Sequence, residues 1–312
     1  FRVTLSSPSS GTTLGTATAT ATILNDDTSI AITTNALSKA EGLAGSTPFA
    51  YSIARRGNLT GSSSVSWSVT GSGPNPTDAN DFTGSTSGIL TFTPGQAFQV
   101  LQVNVKGDTI QEADESFTLT LSAATGAFLA TSSSSGLIRN DDLVGDANSN
   151  TLIGTSLAEY INGGANVNIL TGGSGADTFA FNFGQSPINT PDLITAFAYG
   201  TDKLAVLSSS GARLPAPVSF SRAAENANAS TLADLAFSIS SDSNGALSGN
   251  QILAANSAVI VRSTNAAIAG IYVMINDSVS AISATDDLMI KLGGITGGLP
   301  AVGAINPAAM FV

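Results

Sequence analysis

The chain contains one phrase twice. Residues 1–27 read FRVTLSSPSSGTTLGTATATATILNDD, and residues 117–142 read FTLTLSAATGAFLATSSSSGLIRNDD. Phe1 aligns with Phe117, Leu5 with Leu121, Leu14 with Leu129, and Asn25-Asp26-Asp27 with Asn140-Asp141-Asp142, with one residue gained or lost in the turn. A period of about 115 residues is the size of a β-sandwich and too long for a solenoid repeat. Residues 28–142 should therefore form one sandwich, and residues 1–27 read as the last hairpin of a preceding copy. A two-strand hairpin without a body has unpaired edges. It could add to a neighbouring subunit's sandwich, and repeated head-to-tail contacts of that kind need not close.

Short strands with period-2 alternation fill the interval between the two phrases. They include Phe49/Tyr51/Ile53, Val65/Trp67/Val69, Leu90/Phe92 and Leu101/Val103/Val105, separated by turn residues. Seven or so such segments suggest two antiparallel sheets, with Trp67, the single Trp, in the core. The 32 glycines, with abundant Ser and Thr, read as an all-β, turn-rich chain.

Composition narrows the chemistry. The chain has no His and no Cys, and 11 basic against 22 acidic residues give a net charge of −11. That removes Ser-His-Asp and Cys-His catalysis and every imidazole or thiolate metal site. Metal binding is left to oxygen ligands, which suit hard cations. Few, scattered basic residues on an acidic chain disfavour nucleic acid. The longest strongly apolar run, Ala266 to Ile275, is too short to span a bilayer, which needs about 20 residues. Scarce aromatics also argue against a sugar-stacking surface.

Particular residues carry a family likeness. They are Glu41-Gly42, Asn80-Asp81-Phe82, Gly88-Ile89-Leu90-Thr91-Phe92-Thr93-Pro94-Gly95-Gln96, Gly107-Asp108-Thr109, Glu112, Asp114-Glu115-Ser116-Phe117 and Asn140-Asp141-Asp142. In this order they resemble the Calx-β domain, an antiparallel sandwich that in some members holds Ca²⁺ at one end. The resemblance implies a Ca²⁺ pole drawn from Glu41, Asp81, Asp108, Glu112, Asp114, Glu115, Asp141 and Asp142. Gathering such anions costs several kcal/mol unless a cation neutralises them, and Ca²⁺ accepts six to eight oxygens in flexible geometry. Without a cation the same acids would serve as solvated loop tips. Gly107 and Asn140 stand where the family often has further acids, which implies weaker or fewer sites.

A second, shorter repeat follows. From Gly145 the chain divides into four contiguous nonapeptides, GDANSNTLI, GTSLAEYIN, GGANVNILT and GGSGADTFA, with apolar Leu152, Ile161, Leu170 and Phe179. The last matches G-G-x-G-x-D-x-U-x. The set resembles the RTX, or hemolysin-type, parallel β-roll. That likeness implies Ca²⁺ between alternate turns, pairing Glu159 with Asp177 around Gly172, Gly173 and Gly175. The other pairing, Asn150 with Asn168, offers only neutral amides, so at most one good site is expected. Asn148 and Asn166 replace glycine in the turns, and Asn tolerates left-handed backbone. The flank Asp192-Leu193-Ile194-Thr195-Ala196-Phe197 with Gly200-Thr201-Asp202 has Ala196 in place of a second acid, so no metal is expected there.

Residues 199–312 read as a mainly β cap with one short helix from Thr231 to Ile239, with Leu232, Leu235 and Phe237 as its apolar positions and Ser230 as its N-cap. The run Ala309-Met310-Phe311-Val312 reads as an exposed apolar tail. This part is similar to cyanobacterial-type RTX C-terminal segments, which implies export by a type I system. The expected organisation is a hairpin (1–27), a Calx-β sandwich (28–142), a β-roll with its flank (143–198) and a cap (199–312). The expected function is non-enzymatic: a secreted or cell-surface Ca²⁺-binding structural or adhesive protein. Its expected partners are itself, neighbouring Calx-β repeats or a cell-surface or matrix component. It could also be a filament or matrix subunit, or the Ca²⁺-binding, secretion-directing tail of a larger extracellular enzyme.

Overall fold

The computed structural model describes residues 1–22, 27–241 and 252–312. Asn25 and Asp26 of the first phrase lie outside the described residues. The chain divides into two compact units. One comprises Phe1–Ser38, Pro48–Asn104 and Glu115–Leu137; the other comprises Lys39–Thr47, Val105–Asp114 and Ile138–Val312.

The chain opens on a hairpin in which β1 (Arg2–Thr4) pairs antiparallel with β2 (Thr18–Thr20), Val3 opposite Ala19. Nine strands then build the sandwich: β3 (Ser29–Ile32), β4 (Leu37–Ala40), β5 (Gly45–Arg56), β6 (Ser63–Ser72), β7 (Ser87–Phe92), β8 (Phe98–Gly107), β9 (Glu115–Thr125), β10 (Phe128–Thr131) and β11 (Ser133–Arg139). Their sheets are ordered β10-β3-β5-β8 and β4-β11-β9-β6-β7. The alternation read from sequence places Phe49, Tyr51, Ile53, Leu101, Val103, Phe117, Leu119 and Leu121 in the core. Phe117 is its centre, edge-to-face with Phe49 at 5.3 Å and with Phe82 at 5.5 Å between ring centroids.

The sandwich is antiparallel apart from β10, which crosses to the other sheet and runs parallel to β3. One expectation needs correction. Trp67 is only half-buried: its partner across the ladder is Gly88, and the indole lies over the space a side chain there would take. Arg55, by contrast, is almost fully buried. Its guanidinium donates to the carbonyls of Leu59, Gly61, Thr93 and Gln96 at 2.8–3.1 Å, so backbone dipoles compensate its charge and tie two loops to β5.

The nonapeptides form a parallel coil. Its strands are β12 (Asp142–Val144), β13 (Thr151–Ile153), β14 (Tyr160–Asn162), β15 (Ile169–Thr171), β16 (Thr178–Asn182), β17 (Asp192–Ile194), β18 (Phe197–Ala198) and β19 (Lys203–Leu207). Alternate repeats feed opposite sheets: β12-β14-β16-β19 on one side, and β13-β15-β17 at the start of the other. The register stacks Ile161 on Phe179 and Leu152 on Leu170. The inward residue of each turn thus lands on that of the turn after next, which is why one apolar position per nonapeptide suffices for a core.

The remaining strands extend the second sheet. They are β20 (Ser219–Arg222), β21 (Ser257–Ser263), β22 (Gly270–Ile275), β23 (Leu288–Leu292), β24 (Ile295–Thr296) and β25 (Gly303–Ile305). Coil and C-terminal strands share the order β13-β15-β17-β23-β22-β21-β20-β25 and one apolar core running from Ile161 to Phe311. The other face of this sheet is covered by α1 (Leu232–Ser241). Its buried face is Leu235, Ala236 and Ile239, whereas Phe237 is 74% exposed. The cap is Thr231 rather than Ser230: Thr231 Oγ1 accepts from the Asp234 amide at 3.0 Å, while Ser230 donates to the Asp234 carboxylate. Thr231→Ala should cost about 1 kcal/mol in urea unfolding, and Ser230→Ala less.

The apolar tail is covered at its centre, although Val312 stays exposed. Met310 and Phe311 are buried, and Phe311 stacks edge-to-face on Phe220 at 5.2 Å. Lys203 Nζ holds the carbonyls of Ala308 and Ala309 at 2.8 and 3.0 Å. Among the described residues, no helix is long and apolar enough to cross a membrane.

Candidate metal centre

The second unit gathers carboxylates from three separated segments. Glu41 lies between β4 and β5, Asp108, Glu112 and Asp114 lie between β8 and β9, and Asp141 and Asp142 sit where β11 gives way to β12. Glu41, Asp141 and Asp142 each present an oxygen within 4.8 Å of the other two, and all three are buried. Asp142 is fully buried, and neither of its carboxylate oxygens has a hydrogen-bond partner. Buried unpaired anions are strongly disfavoured, so protons or a cation must compensate this cluster.

The electrostatics point the same way. Burial, followed by the charges of Asp141, Asp142, Glu112 and Asp108, pushes the Glu41 carboxyl up to about 8. Burial and the charges of Asp141, Asp108 and Glu112 push Asp142 up to about 7. Asp141 is raised mainly by burial, with partial relief from the Gly42 amide, which donates to its Oδ1 at 3.3 Å. Asp108 lies below the usual range because Lys106 pairs with it at 2.9 Å.

The two departures from the family pattern have structural reasons. A side chain on Gly107 would overlap the Gly42 carbonyl, so the close approach of these two backbones requires glycine. Asn140 is a cross-link that an aspartate could not reproduce. Its Nδ2 donates to the Asp142 carbonyl at 2.8 Å, its Oδ1 accepts from the Glu112 amide at 3.1 Å, and its own amide donates to Asp114 at 3.0 Å. Asp81 and Glu115 belong to the first unit and are not among the three buried acids. Asp81 accepts from the Asp78 amide at 2.5 Å, and Glu115 opens β9.

The coil carries a column of buried acids. Asp141, Glu159, Asp177 and Asp202 each stand immediately before a strand of the β12-β14-β16-β19 sheet, in register and one strand apart (about 4.8 Å). Asp177 Oδ1 accepts from the Glu159 amide at 3.1 Å, and Asp202 Oδ1 accepts from the Asp177 amide at 3.2 Å. Thr155 holds Glu159 Oε1 through its amide, at 2.8 Å, and through its hydroxyl; Glu159 Oε2 is buried without a partner. Burial, with Asp202 and Glu159 nearby, pushes Asp177 up to about 7. The glycines make room: a side chain on Gly172 would overlap Asp177 Oδ2, on Gly173 the Thr155 carbonyl, and on Gly175 the Leu157 carbonyl. In the opposite column, Asn168 Oδ1 accepts from the Asn150 amide at 2.8 Å, and Asp192 Oδ1 accepts from the Asn168 amide at 2.7 Å. Asn166 adopts φ of 62°, left-handed like the glycines of these turns.

Asp192 and Asp202 are rungs that motif reading passed over. The signal was present: in each turn a polar residue precedes the inward apolar residue by two, as in Asn168/Leu170, Asp177/Phe179, Asp192/Ile194 and Asp202/Leu204.

All available donors here are oxygens, the set that suits hard divalent cations. In comparison with known proteins, residues 43–142 match the family model of the Calx-beta domain. Over 134 residues the chain is 33% identical to the adhesion G-protein coupled receptor V1 of Danio rerio, a match covering 41% of this chain and 2% of that protein. Solved structures with similarity include an apo-form Calx CBD1 domain, at 24% identity and TM-score 0.33, covering 37% of this chain and 99% of that one. A CBD12 structure of CALX1.2 aligns at 23% identity and TM-score 0.34, covering 41% and 50%. With its alternating core and its acidic strand-end loops, the segment of residues 43–142 is a Calx-beta domain.

Proposed function

We propose that this chain is a non-enzymatic, Ca²⁺-dependent structural or adhesive segment of a secreted or cell-surface protein. The observation that carries the reading is Asp142, a fully buried carboxylate with two unpartnered oxygens beside Glu41 and Asp141. An oxygen-only donor set in strand-end loops suits Ca²⁺, and the similar CBD1 and CBD12 domains belong to Calx proteins. The zebrafish relative is named as an adhesion receptor, which supports an extracellular role. A second Ca²⁺ is proposed between Glu159 and Asp177, with Gly172, Gly173 and Gly175 letting the turns close around it. The coil is then an RTX-like roll, and the C-terminal segment is an export signal read by a type I system before Met310 and Phe311 become buried.

Ca²⁺ in this reading times folding. It binds the folded state and adds about 2.7 kcal/mol per site at a hundredfold excess over Kd. Thermal melts followed by circular dichroism, in EDTA and in millimolar Ca²⁺, test this directly. A clear rise in Tm with Ca²⁺ is expected, and identical melts would end the proposal.

A further inference from the structure

The core shared by the coil and the C-terminal strands is incompletely closed where Leu214-Pro215-Ala216-Pro217-Val218 crosses it. Pro215 and Pro217 have no amide hydrogen to donate, so this segment cannot pair with the sheet as a strand. It is held at its ends. The Leu214 amide donates to the Val206 carbonyl at 2.9 Å, and the Val218 amide to the Asn256 carbonyl at 2.7 Å. Against it lies a cavity of about 210 Å³, bounded also by Phe183 and by the buried core residues Val206 and Ile275. A dry apolar cavity of about 150 Å³ accommodates benzene, so this one has room for an aromatic ring or a branched aliphatic group.

A second cavity, of about 550 Å³, adjoins the first and shares Phe183, Leu214 and Asn256 with it. Its character is opposite. Asp277 and Asp286 line it with Ser208, Ser209 and Ser278, and among the described residues no basic side chain does. The loop that carries both acids is fixed from within by the fully buried Asp287, whose carboxylate accepts from the Asp277 and Ser283 amides, each at 2.8 Å. Burial raises the Asp287 carboxyl, those two amides relieve it in part, and the charges of Asp277 and Asp286 raise it further, so the field at this mouth is negative. Among the described residues neither Asp277 nor Asp286 enters an ion pair.

We infer that the two cavities together form a binding site for a small amphipathic cation, with its aromatic or branched aliphatic group against residues 214–218 and its ammonium facing Asp277 and Asp286. The pairing of an apolar chamber with a few polar groups is that of a small-molecule site, and each half selects. An inorganic cation would leave the apolar cavity unused. An acid would meet two like charges. A neutral hydrocarbon would leave both carboxylates without a partner. An ammonium brings three donors, which the carboxylates and the serine hydroxyls can share.

Isothermal titration calorimetry on the folded 312-residue chain, in millimolar Ca²⁺ at neutral pH, tests the inference with phenethylammonium, phenethyl alcohol and hydrocinnamate. These probes share a ring and a tether and differ in the charge of the head. Phenethylammonium should bind with a Kd on the order of 0.1–1 mM, and hydrocinnamate at least about tenfold more weakly. Asp277→Asn combined with Asp286→Asn should weaken phenethylammonium about five- to tenfold, to the level of the alcohol, and leave the alcohol unchanged. That comparison separates the site from the general attraction of a chain of net charge −11 for cations. Ala216→Phe, which fills the inner cavity, should abolish binding of both; if it fails to fold, the paired amide substitutions decide alone. Phenethylammonium that binds no tighter than hydrocinnamate, or that keeps its affinity in the paired variant, overturns the inference. So does failure of all three probes to bind the folded chain at concentrations well above that Kd range.

Discussion

Asp142→Asn should reverse sign with Ca²⁺. In EDTA the variant is expected to melt above the wild type, because a neutral amide replaces a buried carboxylate with two unpartnered oxygens. In millimolar Ca²⁺ it should melt below the wild type, having lost a ligand from the cluster with Glu41 and Asp141. At a hundredfold excess over Kd the lost term is about 2.7 kcal/mol, on the order of 4 °C in Tm for a chain of this size. The same substitution should be felt in the coil. Asp142 opens β12, its ladder partner is Tyr160, and the Tyr160 amide donates to the Asp141 carbonyl at 2.8 Å. Ca²⁺ should therefore slow exchange of the Tyr160 and Gly145 amides in the wild type and leave them unchanged in Asp142→Asn. A variant that tracks the wild type in both buffers would show that Asp142 holds no cation.

In EDTA, stability should rise as the solution is acidified from pH 9 towards pH 5. The folded carboxyl of Glu41 is pushed up to about 8, and those of Asp142, Asp177 and Asp192 to about 7. Each lies above its unfolded value near 4, so the folded state binds more protons across that window. The contribution of these four groups is then fully present below about pH 4 and lost as pH rises through 7 to 8. Saturating Ca²⁺ displaces the protons from Glu41, Asp142 and Asp177 and should flatten the profile. Asp192 should keep a residual slope, because its partners are the amides of Asn168 rather than other acids. Calorimetry across pH 5–9 in both buffers checks this. A Tm in EDTA that is constant or falls on acidification contradicts the buried-acid cluster.

Local rules were legible wherever a residue's role depends on its near neighbours. The alternation of Phe49, Tyr51 and Ile53 gave their burial. One apolar residue per nonapeptide gave the coil core, and the four glycine-led turns gave its period. Errors arose where a distant segment decides the outcome. Trp67 follows the core alternation but lies half-buried over Gly88, and Phe237 fits the helical period but points away from the sheet that covers Leu235 and Ile239. The tail at Met310 and Phe311 is apolar enough to seek cover, and only the fold supplies Phe220 and Leu204 to provide it.

The sequence by itself determined the two repeat periods, the all-β class, the restriction to oxygen ligands and the identities of the acids. It could not determine which acids meet. Gly42 and Asp141 touch across 99 positions of chain, and the column of Asp141, Glu159, Asp177 and Asp202 exists because parallel strands stack those positions in register. Spacing along the backbone sets a residue's local direction. Burial and mutual field depend on through-space distance, and only the tertiary structure brings these anions close enough to make each other's charge costly.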